Sequence, residues 1–235
     1  MVEFAYAVGR IRALEVYLLS QSQLLRILEA KDFDTAYSIL RENPHYAAKI
    51  DQLAHPFDYQ ALLQKELEDT KVLLEELVPH EVISVIFEKY RPEVTIGGYL
   101  FTLKQLAKKY QIPLFHQYVQ GFSILNQLKL DLLLGEAATE EFENKYRYTE
   151  YYLPIKTGLE AYQKTGSLAV LEREIDNFLL QIIKKAKYQV FGIEPLIGYA
   201  LAKEIEIKNL RLLLTGKIMQ IKPEEIKERL RGSYV

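Results

Sequence analysis

A long apolar segment near the end of the chain constrains the fold more than any other feature. Within it, residues 204–212 (EIEIKNLRL) alternate polar and apolar side chains as far as Lys208, which is typical of a half-buried strand. The flanking residues favour a helix instead, because Glu194 and Pro195 form a helix start and only a glycine interrupts residues 197–215. Side chains on one helical face recur at spacings of three and four: Leu196, Tyr199, Ala200, Lys203, Ile207, Leu210 and Leu214. We therefore predict a helix that is apolar over most of its circumference and lies between neighbouring elements.

Helical periodicity also dominates the rest of the chain. Apolar spacing, capping signals and Pro or Gly breaks predict further helices over residues 4–19, 22–30, 33–42, 57–78, 80–90, 94–110, 114–134, a stretch ending near 164, 168–190 and a short final segment. A polar segment follows Gly135, but no linker divides the chain cleanly. We predict one all-α domain over residues 1–235, with lobes 1–135 and 136–235 as an alternative organisation.

Composition limits the functions that are open to the chain. The 235 residues include no cysteine, which excludes disulfides, thiolate catalysis and cysteine-bound metals. The formal net charge of −2 gives no sign of an electrostatic hold on nucleic acid or anionic lipid. No apolar run approaches the roughly 18 residues of a membrane-spanning helix, and the opening MVEFAYAVGRIRALE lacks a signal-peptide pattern. We expect a protein that is neither secreted nor inserted in a membrane.

Signatures of catalysis are missing from the sequence. The four histidines form no HExxH or similar ligand pair; we expect surface or loop positions for the first three, His45, His55 and His80, and a packed or boundary position for His116. The Gly216-Lys217 pair has no glycine-rich loop before it and no Ser or Thr after it, so it does not form a phosphate-binding loop. We expect no catalytic residue, no cofactor and no metal site.

Aromatic residues are the most unusual part of the composition. The chain has 17 tyrosines and 10 phenylalanines but no tryptophan. The tyrosine-rich segment YRYTEYY (residues 146–152) is a candidate contact patch, because aromatic side chains favour interfaces. The alternative is that these rings fill gaps between crossing helices.

The two ends of the chain carry a specific resemblance. The opening FAYAVGRIRALEVYLLS and the closing FGIEPLIGYALAKEIEIKNLRLLLTGKIMQIKPEEIKERLRGSYV are similar to the corresponding ends of the C subunit of V/A-type ATPases, which is related to the eukaryotic d subunit. The closing segment has the order of that family's motifs: FG-x-EPL, KE-x-E-x-x-NLR, a glycine, and PEEI-x-ERLR. A weaker internal echo pairs residues 125–135 with residues 207–216.

The resemblance implies an all-α protein of repeated helical sub-domains, forming a funnel-like or two-lobed body. It implies a non-catalytic central-stalk subunit on the cytoplasmic side of the membrane, which links the shaft subunits D and F to the membrane rotor ring and transmits torque. The coupled ion, H⁺ or Na⁺, stays open. Compared with typical members the chain is short by about one repeat, and Ile124 and Gln127 stand where the family has Asp and Asn.

Four residues match the last family motif: Glu204, Glu206, Asn209 and Arg211. We predict that they fix the register of packed helices through buried hydrogen bonds and ion pairs, because such groups are costly when left unpaired. A direct grip on the shaft is the alternative for these four residues. For the whole chain, the alternative is an all-α adaptor that is unrelated to rotary ATPases.

Overall fold

The computed structural model describes residues 4–135 and 139–235, and in these ranges the chain is helical without any β-strand. This confirms the predicted all-α class. The helices are α1 (Ala5–Glu15), α2 (Gln21–Glu29), α3 (Phe33–Arg41), α4 (Pro44–Ile50), α5 (Tyr59–Leu77), α6 (Glu81–Glu88), α7 (Ile96–Tyr110), α8 (Pro113–Leu134), α9 (Thr139–Tyr146), α10 (Tyr152–Thr165), α11 (Ala169–Lys184), α12 (Glu194–Ile218) and α13 (Pro223–Lys227). None of them is long and apolar enough to cross a membrane.

The helix starts follow local capping chemistry. The predicted capping box is present, because the amide of Ser20 donates to Gln23 Oε1 at 2.9 Å and the amide of Gln23 donates to Ser20 Oγ at 3.3 Å. Helix α4 was not predicted from the sequence. Asn43 caps it by accepting from the amide of His45 at 3.0 Å, and Pro44 occupies the first turn.

Helix α12 is the central element of the fold. Nineteen of its 25 residues are buried, and α1, α2, α3, α5, α6, α8 and α11 all pack against it. The predicted helix over residues 204–212 and its position between neighbours are therefore confirmed. The apolar, nearly uniform circumference of the segment is what permits burial on all sides.

Two hydrophobic cores meet on α12. The first core lies between α1, α6, α7, α8, α10 and α11 and takes residues 196–205 of α12. The second core lies between α2, α3, α4 and α5 and takes residues 207–214 of α12. Both cores draw side chains from before and after residue 135. The division into lobes 1–135 and 136–235 and the funnel-like shape stay predictions.

The end of α11 differs from the sequence-based expectation. The predicted helix over residues 168–190 stops at Lys184, and a 3₁₀ turn, Lys185–Tyr188, follows it. A distant side chain stabilises this turn, since Arg12 of α1 donates to the carbonyl oxygens of Ala186 and Gln189 at 2.7 and 2.9 Å. Those carbonyls are held outside the regular α-helical pattern, and Val190 is exposed instead of packed.

Candidate functional site

Most residues of the KE-x-E-x-x-NLR motif lie on the buried part of α12. The exposed fractions of Lys203, Glu204, Glu206 and Asn209 are 1%, 5%, 6% and 0%. Charged residues are almost never buried to this degree unless they are paired. The motif therefore requires partners from the helices that surround α12.

One set of partners comes from α4 and α5. Lys203 Nζ lies 2.6 Å from Glu66 Oε1 and 2.8 Å from Glu206 Oε1. Glu66 also lies 2.8 Å from His45 Nε2 and 2.6 Å from Lys49 Nζ. We refer to these five residues as the Lys203 cluster. It joins α4, α5 and α12.

Two members of the Lys203 cluster, Lys203 and Glu66, are held in their charged forms by their neighbours. Burial by itself would lower the pKa of Lys203, but the carboxylates of Glu206 and Glu66 outweigh it and raise that pKa. Burial would raise the pKa of Glu66, but Lys203, His45 and Lys49 together lower it. Each ion thus depends on its neighbours for its charge.

Glu206 also fixes the start of the chain against α12. Its Oε1 accepts a hydrogen bond from the hydroxyl of Tyr46 at 2.6 Å, and its Oε2 accepts one from the backbone amide of Leu19. Burial, followed by the nearby Glu206 carboxylate, raises the pKa of Tyr46 well above its ordinary value, so the phenol stays a donor. Glu206 thereby links α12 to α4 and to the backbone that follows α1.

A second ionic chain runs along the opposite side of α12. Lys89, the residue that follows α6, pairs with Glu204. Lys208 lies 3.4 Å from Glu204 Oε1 and 2.9 Å from Asp176 Oδ1 of α11. Arg231 Nε lies 2.9 Å from Asp176 Oδ2. Positive and negative groups alternate, so both buried carboxylates have pKa values below their ordinary ones although burial alone would raise them.

Asn209 ties the C-terminal segment to α12. Its Nδ2 donates to the carbonyl oxygen of Arg231 at 3.1 Å, and the amide of Arg231 donates to its Oδ1 at 3.0 Å. An amide side chain offers a donor and an acceptor in this paired geometry. Arg211 differs from the expectation of a buried partner. Its side chain is exposed, and among the described residues it makes no hydrogen bond or ion pair.

Three of the four predicted residues therefore make internal ties: Glu206 belongs to the Lys203 cluster, Glu204 to the second ionic chain, and Asn209 binds the backbone of Arg231. Arg211 lies at the surface. Their role in setting helix register stays a prediction. Sequence reasoning missed the partners Lys49, Glu66, Lys89 and Asp176. The available signal was Lys203 itself, a lysine on the apolar face that a carboxylate from another helix has to neutralise.

Two of the histidine expectations, those for His45 and His116, need correction, whereas His55 lies in an exposed loop as expected. His45 is half-buried on α4 against Glu66 instead of lying in a loop. His80 lies in the loop before α6, as expected, and caps that helix by accepting from the amide of Val82 at 3.1 Å. His116 is exposed on α8 and not packed. Within the YRYTEYY segment, Tyr148 is exposed whereas Tyr151 is buried, so the segment combines a surface ring and a packing ring.

Among the open grooves on the surface of the described residues, two are lined by several basic side chains. One, of about 850 Å³, lies between α7 and α8 and is lined by residues that include Lys104, Lys108 and His116. The other, of about 630 Å³, lies between α8, α11, α12 and the C-terminal segment, and Arg211 lines it. We refer to the second as the α12 groove.

The fold and the site define an all-helical protein in which the charges of a central helix tie neighbouring elements together. Comparison with known families gives the particular one. The sequence model of the ATP synthase (C/AC39) subunit family matches residues 101–229, and the chain belongs to this family. This confirms the resemblance to the C subunits of V/A-type ATPases.

Individual relatives agree with the family. The chain is 36% identical over 103 residues to the C subunit of the A-type ATP synthase of Methanocaldococcus jannaschii, a match that covers 43% of this chain and 26% of the relative. It is 35% identical over 112 residues to the C subunit of the V-type sodium ATPase of Enterococcus hirae, covering 48% and 33%. With the C subunit of the A-type ATP synthase of Haloferax volcanii the identity is 24% over 160 residues, covering 67% and 45%. The matched segments thus span less than half the length of each of these relatives.

Proposed function

We propose that the chain is a non-catalytic coupling subunit of a V/A-type rotary ATPase. In this role it lies on the cytoplasmic side of the membrane, links the shaft subunits D and F to the membrane rotor ring, and transmits torque for ion translocation or ATP synthesis. One observation carries the proposal: the family motif on α12 is engaged in ties between elements of the same protein. Glu204 and Glu206 connect α12 to neighbouring elements and Asn209 connects it to the C-terminal segment, so in this proposal the three residues serve a mechanical role.

A torque-bearing linker has to resist shear between its elements, and α12 is arranged to do so. At a rise of 1.5 Å per residue, its 25 residues form a rod about 37 Å long that belongs to both hydrophobic cores. The Lys203 cluster joins the rod to α4 and α5. The second ionic chain, which includes Glu204 and Lys208, joins it to the end of α6 and to α11. Buried ion pairs lose several kcal/mol when separated, so sliding of α12 past its neighbours is strongly opposed.

The proposal is tested by affinity purification of the tagged chain from native membranes, with partners identified by mass spectrometry. We expect subunits D and F and the rotor-ring subunit to co-purify, and the isolated chain to have no ATPase activity. Recovery of a different helical assembly without any rotary ATPase component would contradict the proposal and favour an unrelated adaptor. The same purification with a tagged Lys203→Met variant measures whether partner binding depends on the intact Lys203 cluster.

A further inference from the structure

The α12 groove is strongly cationic although the whole chain has a net charge of −2. Five positive side chains line it, Lys129, Lys208, Arg211, Arg229 and Arg231, against two acidic ones, Glu172 and Asp176. This is an excess of three positive charges in one cleft. A local excess of this kind attracts an oppositely charged partner and repels others of the same sign.

Internal ion pairs account for three of the five cations. Lys129 pairs with Glu172, while Lys208 and Arg231 both pair with Asp176. Arg211 and Arg229 differ, because both are exposed and neither forms an ion pair with a carboxylate of the described residues. These two guanidinium groups come from separate parts of the family motif, NLR and ERLR, and the fold places them in one groove.

The groove also offers an apolar surface of helical length. Its lining includes Phe122, Leu212, Met219 and Ile221, and the side chain of Met219 is 67% exposed. Along α12 the lining runs from Lys208 to Met219, which is about 16 Å or three helical turns. An exposed methionine beside aliphatic residues is typical of surfaces that receive an apolar helix face.

We infer that the α12 groove receives an acidic, amphipathic helix of a partner subunit, with carboxylates on Arg211 and Arg229 and an apolar stripe on Leu212 and Met219. A helix fits better than an extended peptide because the groove is bounded by helices and presents no strand edge within its described lining. The inference rests on the proposed function, which makes the shaft subunits D and F the source of that helix.

The experiment measures binding of the full chain to the purified D–F pair, for the wild type, for Arg211→Glu/Arg229→Glu, and for a matched control, Lys104→Glu/Lys108→Glu. The control changes two exposed cations of the α7–α8 groove by the same total charge. We expect the arginine variant to raise Kd by roughly a hundredfold and the control to leave Kd within about threefold. Wild-type affinity should fall as salt rises from about 0.05 to 0.5 M, and the arginine variant should show a flatter salt dependence.

The outcomes separate the two proposals. Wild-type binding that survives Arg211→Glu/Arg229→Glu would overturn the groove inference and leave the proposed function intact. Failure of the wild type to bind the D–F pair would overturn both. A photo-crosslinking amino acid at Met219 adds an independent readout: capture of an acidic helical segment supports the inference, and capture of a basic or neutral segment overturns it. Circular dichroism of each variant verifies the fold.

Discussion

Replacement of Lys203 by Met isolates the energy of the Lys203 cluster. The change keeps most of the apolar stem and removes the ammonium group that lies 2.6 Å from Glu66 and 2.8 Å from Glu206. Because Lys203 is 1% exposed, water cannot take its place, and two carboxylates are left with fewer partners. Removing one member of a buried ion pair costs about 3–5 kcal/mol of unfolding free energy. For a chain of this size that corresponds to a melting midpoint lower by roughly 6–20 °C.

The assay is urea unfolding followed by circular dichroism at pH 7, with the slope against denaturant used to verify that the unfolded surface is unchanged. A second variant, Lys203→Met/Glu206→Gln, restores charge balance and keeps an acceptor for Tyr46, so we expect it to recover part of the loss. The control Lys109→Met removes an exposed ion pair with Glu81 and should cost less than about 1 kcal/mol. A Lys203→Met loss no larger than that of the control would refute the reasoning.

Three further predictions concern packing, the C-terminal tie and pH. In Gly158→Ala, the new Cβ would lie 2.4 Å from Leu171 Cδ1 and 3.0 Å from Leu171 Cα, which is too close for either atom. The clash should push α10 and α11 apart and lower the unfolding free energy by about 1–3 kcal/mol in the same urea assay. Asn209→Ala removes two hydrogen bonds to Arg231, so the unfolding free energy should fall by about 1–3 kcal/mol and hydrogen exchange at residues 231–235 should become faster. Unchanged exchange at these residues would contradict the role of Asn209 in holding the C-terminal segment. The folded pKa of Asp176 lies below its ordinary value, so its contribution to the unfolding free energy is complete above about pH 4–5 and is lost as pH falls through the folded pKa. The Asp176→Asn variant should therefore lose less unfolding free energy than the wild type between about pH 5 and 2.

The central helix could be predicted from the sequence because its signals are local. Glu194-Pro195 mark its start, and its apolar residues repeat with helical spacing, so the short alternation at residues 204–208 does not produce a strand. Helix α4 was missed because Asn43-Pro44 was interpreted as the end of α3. The same two residues also form a helix start, and only the chain beyond them decides between the two.

The candidate site could be predicted only in part, because its partners are distant in sequence. Glu204, Glu206 and Asn209 were selected from the motif, whereas Glu66 and Asp176 belong to helices whose charged residues resemble ordinary solvated faces. The 3₁₀ turn after α11 is a similar case, since the side chain that stabilises it, Arg12, comes from the other end of the chain. A single sequence carries no record of such pairs, since each depends on which helices the fold brings together.

The position of α12 in both hydrophobic cores has a consequence for the order of folding during synthesis. The ribosome makes the chain from its N-terminus, so α1 to α11 emerge before the helix against which most of them pack. Until residues 194–218 have been made, Glu66 lacks its ion-pair partner Lys203, and both hydrophobic cores lack the side chains that α12 supplies. We expect the earlier helices to stay loosely associated and accessible to chaperones until late in translation, and to become resistant to protease together once α12 inserts between them.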